Sequence, residues 1–270
     1  MRQRRGERVT YQTIELGVQD GLARLVLNQP EQGNPFNAGF CGEWAMVANE
    51  LAGRRDVRAV LITARGRFFS VGGDIGMFAK TLDTLPDRIR EWTADLHMGV
   101  ARLARLDAPL VVAVHATCMG GASALVANCD LVFAGKSARF GAAYSQIGYS
   151  CDAGATFGLA SRMGIARARR FLLLAEMMDT DTALATGLVD HVVADEALVA
   201  EAEKAALRLA QGPTRAYGEI RRLLSRSLGQ PFESQLEDEA QGLVRAAGTA
   251  DAREGISAFV EKRKPQFTGR

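Results

Sequence analysis

The chain has 270 residues, 47% of them hydrophobic and 24% charged, with a formal net charge of +2. That length and composition suit one large domain, or a domain with an appendage, around a sizeable core. So even a charge balance argues against nucleic-acid binding as a main task, and no apolar run approaches the roughly 18 residues of a membrane span. The four cysteines (Cys41, Cys118, Cys129, Cys151) form no CxxC pair and no metal-ligand spacing, so they read as reduced thiols of a cytoplasmic protein with no metal site.

In chain order, the Arg-rich residues 1–8 lead into no apolar signal segment and are expected to form a disordered arm. Residues 13–18 and 22–28 flank Asp20-Gly21 and predict a hairpin, since Asp-Gly accepts the left-handed backbone of a tight turn. Ala38–Gly53 has helical spacing, with Phe40, Trp44, Val47 and Leu51 on one face. Val60-Leu61-Ile62-Thr63 reads as a strand and is followed by Phe69-Ser70-Val71-Gly72-Gly73-Asp74. The polar residues 80–90 contain Pro86, which argues against one continuous helix, and 89–106 reads as a helix ending before Pro109.

A second strand, Leu110-Val111-Val112-Ala113-Val114, runs toward Met119-Gly120-Gly121-Ala122, and 122–127 reads as a short helix. Leu131-Val132-Phe133-Ala134 is a further strand, with a helix over 154–163. From Leu198 onward the pattern is helical, broken at Gly212-Pro213, Gly229-Gln230-Pro231 and Gly248-Thr249. Asp251 and Glu254 have capping-box spacing for the last helix. The β–α alternation predicts a mainly parallel sheet with right-handed crossovers.

The two glycine segments carry the chemistry. Glycine after a buried strand lets the backbone approach a ligand closely, and two such backbones facing each other can aim two N–H donors at one oxygen, an oxyanion hole. Taken with Asn128-Cys129-Asp130, Ala138-Arg139-Phe140, Gly187-Leu188-Val189 and Glu254-Gly255-Ile256-Ser257-Ala258-Phe259, this ordered series resembles the enoyl-CoA hydratase/isomerase (crotonase) superfamily from about residue 11 to 270.

The resemblance implies an α/β fold, a crotonase-like spiral of ββα repeats, with residues 1–200 as the core bearing an acyl-CoA site. It implies that 201–270 form a helical oligomerisation region, giving a homotrimer or a hexamer built as a dimer of trimers. The ligand would be an acyl-CoA thioester, with no separate cofactor because coenzyme A is part of the substrate. Gly73 and Gly121 would supply the oxyanion hole, and Gly121 would open a short helix.

Enoyl-CoA hydratases place glutamates where this chain has Ala124 and Tyr144, so two-glutamate hydration is poorly supported. Asp152 matches the single catalytic aspartate of ring-epoxide isomerases of phenylacetyl-CoA degradation, which the chain also resembles in Lys264-Pro265-Gln266-Phe267-Thr268-Gly269. The favoured reading is a double-bond or ring-epoxide isomerase, with Tyr144 shaping the pocket or orienting the carboxylate. The other reading of Asp152 is a helix N-cap.

Tyr144, Asp152 and His97 together are also similar to 4-chlorobenzoyl-CoA dehalogenases, in which the His97 position activates water; a thioester hydrolase, the broad family activity of hydration, and an RNA-binding or scaffolding role are the further alternatives. His97 otherwise reads as a polar residue on a half-buried helix, and Phe78, Trp92, Tyr144 and Phe157 are the aromatic candidates for the acyl pocket. Val71, Gly73 and the loop around Asn34 are expected to line the pantetheine and adenine channel. Residues 77–92 would roof the pocket, and Asp74 would brace its own loop. Gln29 stands where many relatives have a basic residue, with Arg24 and Lys262 as possible substitutes for that phosphate contact.

Overall fold

The structure, a computed structural model, describes residues 10–227 and 229–270. The Arg-rich stretch expected to be a disordered arm lies outside them. The hairpin pairs β1 (Ile14–Gln19) with β2 (Leu22–Leu27), and Asp20 and Gly21 both take positive φ, 54° and 79°. Two left-handed residues are what a two-residue turn needs to match the strands' right-handed twist.

After β2 come α1 (Ala38–Gly53), β3 (Ala59–Ala64), α2 (Ile75–Lys80), α3 (Leu85–Ala104), β4 (Leu110–Val114), β5 (Thr117–Met119) and α4 (Gly121–Ala127). These are followed by β6 (Leu131–Gly135), β7 (Arg139–Gly141), α5 (Ala155–Met163), α6 (Ile165–Leu174), β8 (Met177–Asp179), α7 (Thr180–Thr186) and β9 (His191–Val193). Four helices close the chain: α8 (Leu198–Ala210), α9 (Thr214–Ser227), α10 (Phe232–Ala247) and α11 (Ala250–Val260).

The larger sheet has the order β1-β2-β3-β4-β6-β9 and is parallel from β2 onward; the smaller has the order β5-β7-β8. A repeated unit generates both. Each turn of chain lays one long strand in the larger sheet, a short extended piece in a second layer, and then a helix: β2, Phe36 and α1; β3, Ser70–Gly73 and α2–α3; β4, β5 and α4; β6, β7 and α5. Parallel bridges between Phe36 and Gly73 and between Ser70 and Cys118, and the β5–β7 pairing, stack the short pieces of successive turns. This is a spiral of ββα turns, and it sets the two glycine segments on neighbouring turns.

Burial on both faces explains the near-continuous apolar strands. On one face Val60, Ile62, Val112 and Val114 meet Phe40, Trp44, Val47, Leu96 and Leu103 from α1 and α3. On the other, Ala59, Leu61, Val111 and Ala113 meet Leu198, Ala202, Ala206 and Ala210, every fourth residue of α8. Small side chains at that spacing leave a flat stripe that lies close against the strands.

Two local expectations are corrected. Helix α3 starts four residues earlier than expected, because Pro86 sits in its first turn, where it has no amide hydrogen bond to lose; the break falls at residues 81–84 instead. The last helix is capped by Thr249, which accepts from Ala252 N, and not by Asp251. Asp251 points inward, 3% exposed, and accepts from Thr268 N (2.7 Å) and Gly269 N (2.8 Å), while Glu254 pairs with Arg263. Among the described residues no helix is long and apolar enough to cross a membrane, and all four cysteines are free, with Cys151 half-buried and the others buried.

Candidate active site

The first glycine segment is fixed from three sides. Ser70 Oγ donates to Asn34 O (2.7 Å) and accepts from Gly72 N (3.1 Å); Phe36 N donates to Gly72 O (2.7 Å); Met119 N donates to Ser70 O (3.0 Å). Gly72 has φ +79°, and a Cβ there would come within 2.8 Å of Met119 O. Only glycine allows the two segments to touch at this point. In the second segment Gly120 has φ +52° and donates to Gly141 O (2.9 Å), and α4 begins at Gly121. No hydrogen bond among the described residues uses the N–H of Gly73 or of Gly121.

Asp152 stands directly against the second segment. A Cβ on Gly121 would lie 3.2 Å from Asp152 Oδ1 and 3.0 Å from the Phe36 ring. The same Oδ1 accepts from Tyr144 Oη at 2.7 Å. The N-cap alternative for Asp152 is not realised: Gly154, with φ +77°, occupies the cap of α5, and the carboxylate bonds Tyr144. Ala153, buried with φ +50°, donates its N–H to His97 Nε2 (3.0 Å), and its carbonyl accepts from Asn128 Nδ2 (3.3 Å).

Burial, then the Asp152 charge and hydrogen bond, push the Tyr144 phenol well above its ordinary range, so it stays a protonated donor. Burial and the Asp152 charge likewise raise the Cys151 thiol, and they raise Cys41 to about 12 together with Asp95.

Two cavities flank these groups. One, of about 420 Å³, is lined by His97, Val100, Cys151, Asp152, Ala155 and Thr156 among others. The second, of about 380 Å³, is lined by Gln32, Pro35, Val71, Gly73, Asp74 and Ile75. A larger cavity, of about 900 Å³ between Arg54, Arg102, Arg105 and Arg215, adjoins Val57 and Ala108, just ahead of β3 and β4. The glycine segments follow the opposite ends of those strands, so it has no part in the arrangement around Asp152.

The residues singled out in the sequence divide in the structure. Gly121, Asp152, Tyr144 and His97 come together, and Val71 and Gly73 share the second cavity. Phe78 packs on Gly73, within 3.0 Å of where its Cβ would stand, and stacks on Trp92 (6.1 Å between centroids) and on Tyr149 (5.9 Å). Asn34 is not a free ligand group: Oδ1 accepts from Gln29 N, and Nδ2 is taken up by the carbonyls of Arg65, Phe68 and Phe69. Its buried amide ties the loop, and Gln32 and Pro35 are the residues of that loop that line the second cavity.

Phe157 is 54% exposed and faces a different groove, beside Asn128 and Arg162. Arg24 is committed to Glu203, and Asp74 caps α2 by accepting from Met77 N (2.9 Å). His115 Nε2 lies 2.9 Å from Gly66 O, and His191 packs on Phe133. Tyr149, Phe36 and Asn128 also stand at the site, against Phe78, the Gly121 position and Ala153. Asn128 carries a signal in the Asn-Cys-Asp motif, whereas the other two have none in their local sequence. Among the described residues no group of three or more His, Cys, Asp or Glu is placed to hold a metal ion.

A family model described as enoyl-CoA hydratase/isomerase matches residues 17–270. A probable enoyl-CoA hydratase of Rhodobacter capsulatus is 33% identical over 97% of this chain and 100% of its own length. The 1,2-epoxyphenylacetyl-CoA isomerase of Escherichia coli K12 is also 33% identical, over 94% of this chain and 97% of its own. The crystal structure of an enoyl-CoA hydratase from Mycobacterium smegmatis matches with a TM-score of 0.86 at 27% identity, covering 95% of this chain and 99% of that one.

Proposed function

The chain belongs to the enoyl-CoA hydratase/isomerase family, and on that premise we propose that it isomerises an unsaturated acyl-CoA thioester by a one-carboxylate proton shift. The ester carbonyl is received by the N–H groups of Gly73 and Gly121. As a base takes a proton from C2, charge grows on that oxygen, and donors already aimed at it need not reorganise. Asp152 takes the C2 proton, the dienolate forms, and the same carboxyl returns the proton to C4. A base so placed contributes about 10²–10⁴ in rate. Tyr144 holds Oδ1 and keeps the carboxylate turned toward Gly121. An epoxide on an adjacent ring offers the same carboxylate a related isomerisation.

The observation that carries this reading is the contact of Asp152 Oδ1 with both Tyr144 Oη and the Gly121 position. It sets one carboxylate beside a free N–H donor, while Ala124, buried, offers no second acid where a hydratase is expected to have one. Hydration is the second reading, favoured by the relative of equal identity whose name says hydratase. Incubation with a 3-enoyl-CoA and, separately, crotonyl-CoA, resolved by mass and retention time, separates them. Conversion to the 2-enoyl ester at unchanged mass supports isomerisation, and rapid gain of water by crotonyl-CoA overturns it. For assembly, Phe232, Leu243, Val244, Ile256, Phe259 and Val260 on α10 and α11 are each at least two-thirds exposed, which supports a homotrimer or a dimer of trimers joined through these helices.

A further inference from the structure

We infer that His97 is a positioning residue for Asp152, acting as a neutral imidazole through the backbone, and that protonation of His97 releases the carboxylate from its working orientation. This rests on the isomerase reading for its activity readout and on geometry for the rest.

The peptide between Asp152 and Ala153 joins the carboxylate's residue to a backbone held from outside. Ala153 has φ +50° and Gly154 φ +77°, so two left-handed residues in succession follow Asp152, one of them not glycine. An alanine keeps such a conformation only where its surroundings hold it. The holders are Asn128 Nδ2 on its carbonyl and His97 Nε2 on its N–H. His97 stands on α3, which Trp92, Leu96, Gly99 and Leu103 bury against the core, so the acceptor has a rigid base. Tyr144 fixes the side chain of Asp152 from the other end.

An amide N–H can only donate, so Nε2 must present its lone pair and the ring hydrogen must sit on Nδ1. Adding a proton sets N–H against N–H and breaks the bond. The titratable groups that line the cavity with His97 are Asp152 and Cys151; Val100, Ala101, Gly154, Ala155 and Thr156 are uncharged. Cys41, a buried thiol that feels the charges of Asp152 and Asp95, is a further titratable group beside the Asp152 carboxylate. The Asp152 carboxylate, in the same cavity, attracts an imidazolium, so a protonated His97 is drawn away from Ala153 toward Asp152, the group it formerly oriented.

The test has two parts. His97→Ala should lower kcat on a 3-enoyl-CoA by about 10²-fold, the cost of a small misplacement of a reacting group, with KM nearly unchanged. His97→Gln, whose Oε1 accepts without titrating, should recover most of that loss and keep its activity to lower pH than the wild type, down to where the Asp152 base is itself protonated. Full kcat in the alanine variant, or a glutamine variant that loses activity in acid at the same pH as the wild type, overturns the inference.

Independently of activity, ¹⁵N spectra of histidine-labelled protein should show His97, identified by its loss in His97→Gln, as the Nδ1–H tautomer at neutral pH. His115, which must donate from Nε2 to Gly66 O, serves as the internal opposite. An Nε2–H tautomer at His97 refutes the inference even if no isomerase activity is found or the alanine variant does not fold.

Discussion

Tyr144 donates its hydroxyl to Oδ1 of Asp152 across 2.7 Å, from a residue eight positions earlier in the same loop. The chain between them turns through residues 145–147 and Gly148, so phenol and carboxylate meet at the second glycine segment. The proposed chemistry depends on that meeting.

Asp152→Asn keeps the shape and removes the proton carrier. Isomerisation of a 3-enoyl-CoA should fall by about 10²–10⁴, while acyl-CoA binding, measured by calorimetry, should change little. Unchanged turnover would take Asp152 out of the mechanism.

Tyr144→Phe removes one hydrogen bond to a charged acceptor, worth about 1.5–3 kcal/mol, so kcat should drop by roughly tenfold or more. The phenol itself should stay neutral throughout assay conditions, because burial and then Asp152 raise it above its ordinary range. Since the folded value is the higher one, the stability tied to the neutral phenol is complete below the ordinary tyrosine value of about 10 and is lost only as pH climbs through the raised one. Tyrosinate absorbance up to about pH 10 should therefore be the same in wild type and variant.

Gly121→Ala tests the contact from the other side. The new methyl meets the Phe36 ring at 3.0 Å and Asp152 Oδ1 at 3.2 Å, so ring and carboxylate must both give way. A folded variant with turnover reduced by about 10²–10³, comparable to loss of an oxyanion donor, is expected; full activity would sink the assignment of Gly121.

Gly99→Ala separates helix propensity from packing. In an isolated helix the change stabilises by about 1 kcal/mol, but here the Cβ would come within 2.5 Å of Trp44 Cδ1, where α1 crosses α3. Denaturant unfolding should show a loss of about 1–3 kcal/mol. Because α3 also carries His97, turnover should decline in the same variant.

Much of this protein could be read from the chain alone, because the signals involved are local. The Asp20-Gly21 turn, the one-sided spacing of Phe40, Trp44, Val47 and Leu51, the apolar run Leu110–Val114 and the breaks before α9, α10 and α11 each depend on a few neighbouring residues and their backbone preferences. The opening of α4 at Gly121 came from the family resemblance. With the ordered motifs these were enough for the family and its spiral.

Tertiary structure decided what lies across the turns of that spiral. His97 and Ala153 are 56 residues apart, and nothing in either local sequence marks an imidazole as the acceptor for that amide. Asn34 looks like a loop ligand until Gln29, Arg65, Phe68 and Phe69 use up its amide. Phe157 has helical spacing that says nothing of which groove its face meets. Asp251 has the spacing of a cap, yet two later amides of the returning tail, Thr268 and Gly269, claim its carboxylate. A side chain's partner is chosen by which turns stack and at what register, and that is a property of the whole packed sheet.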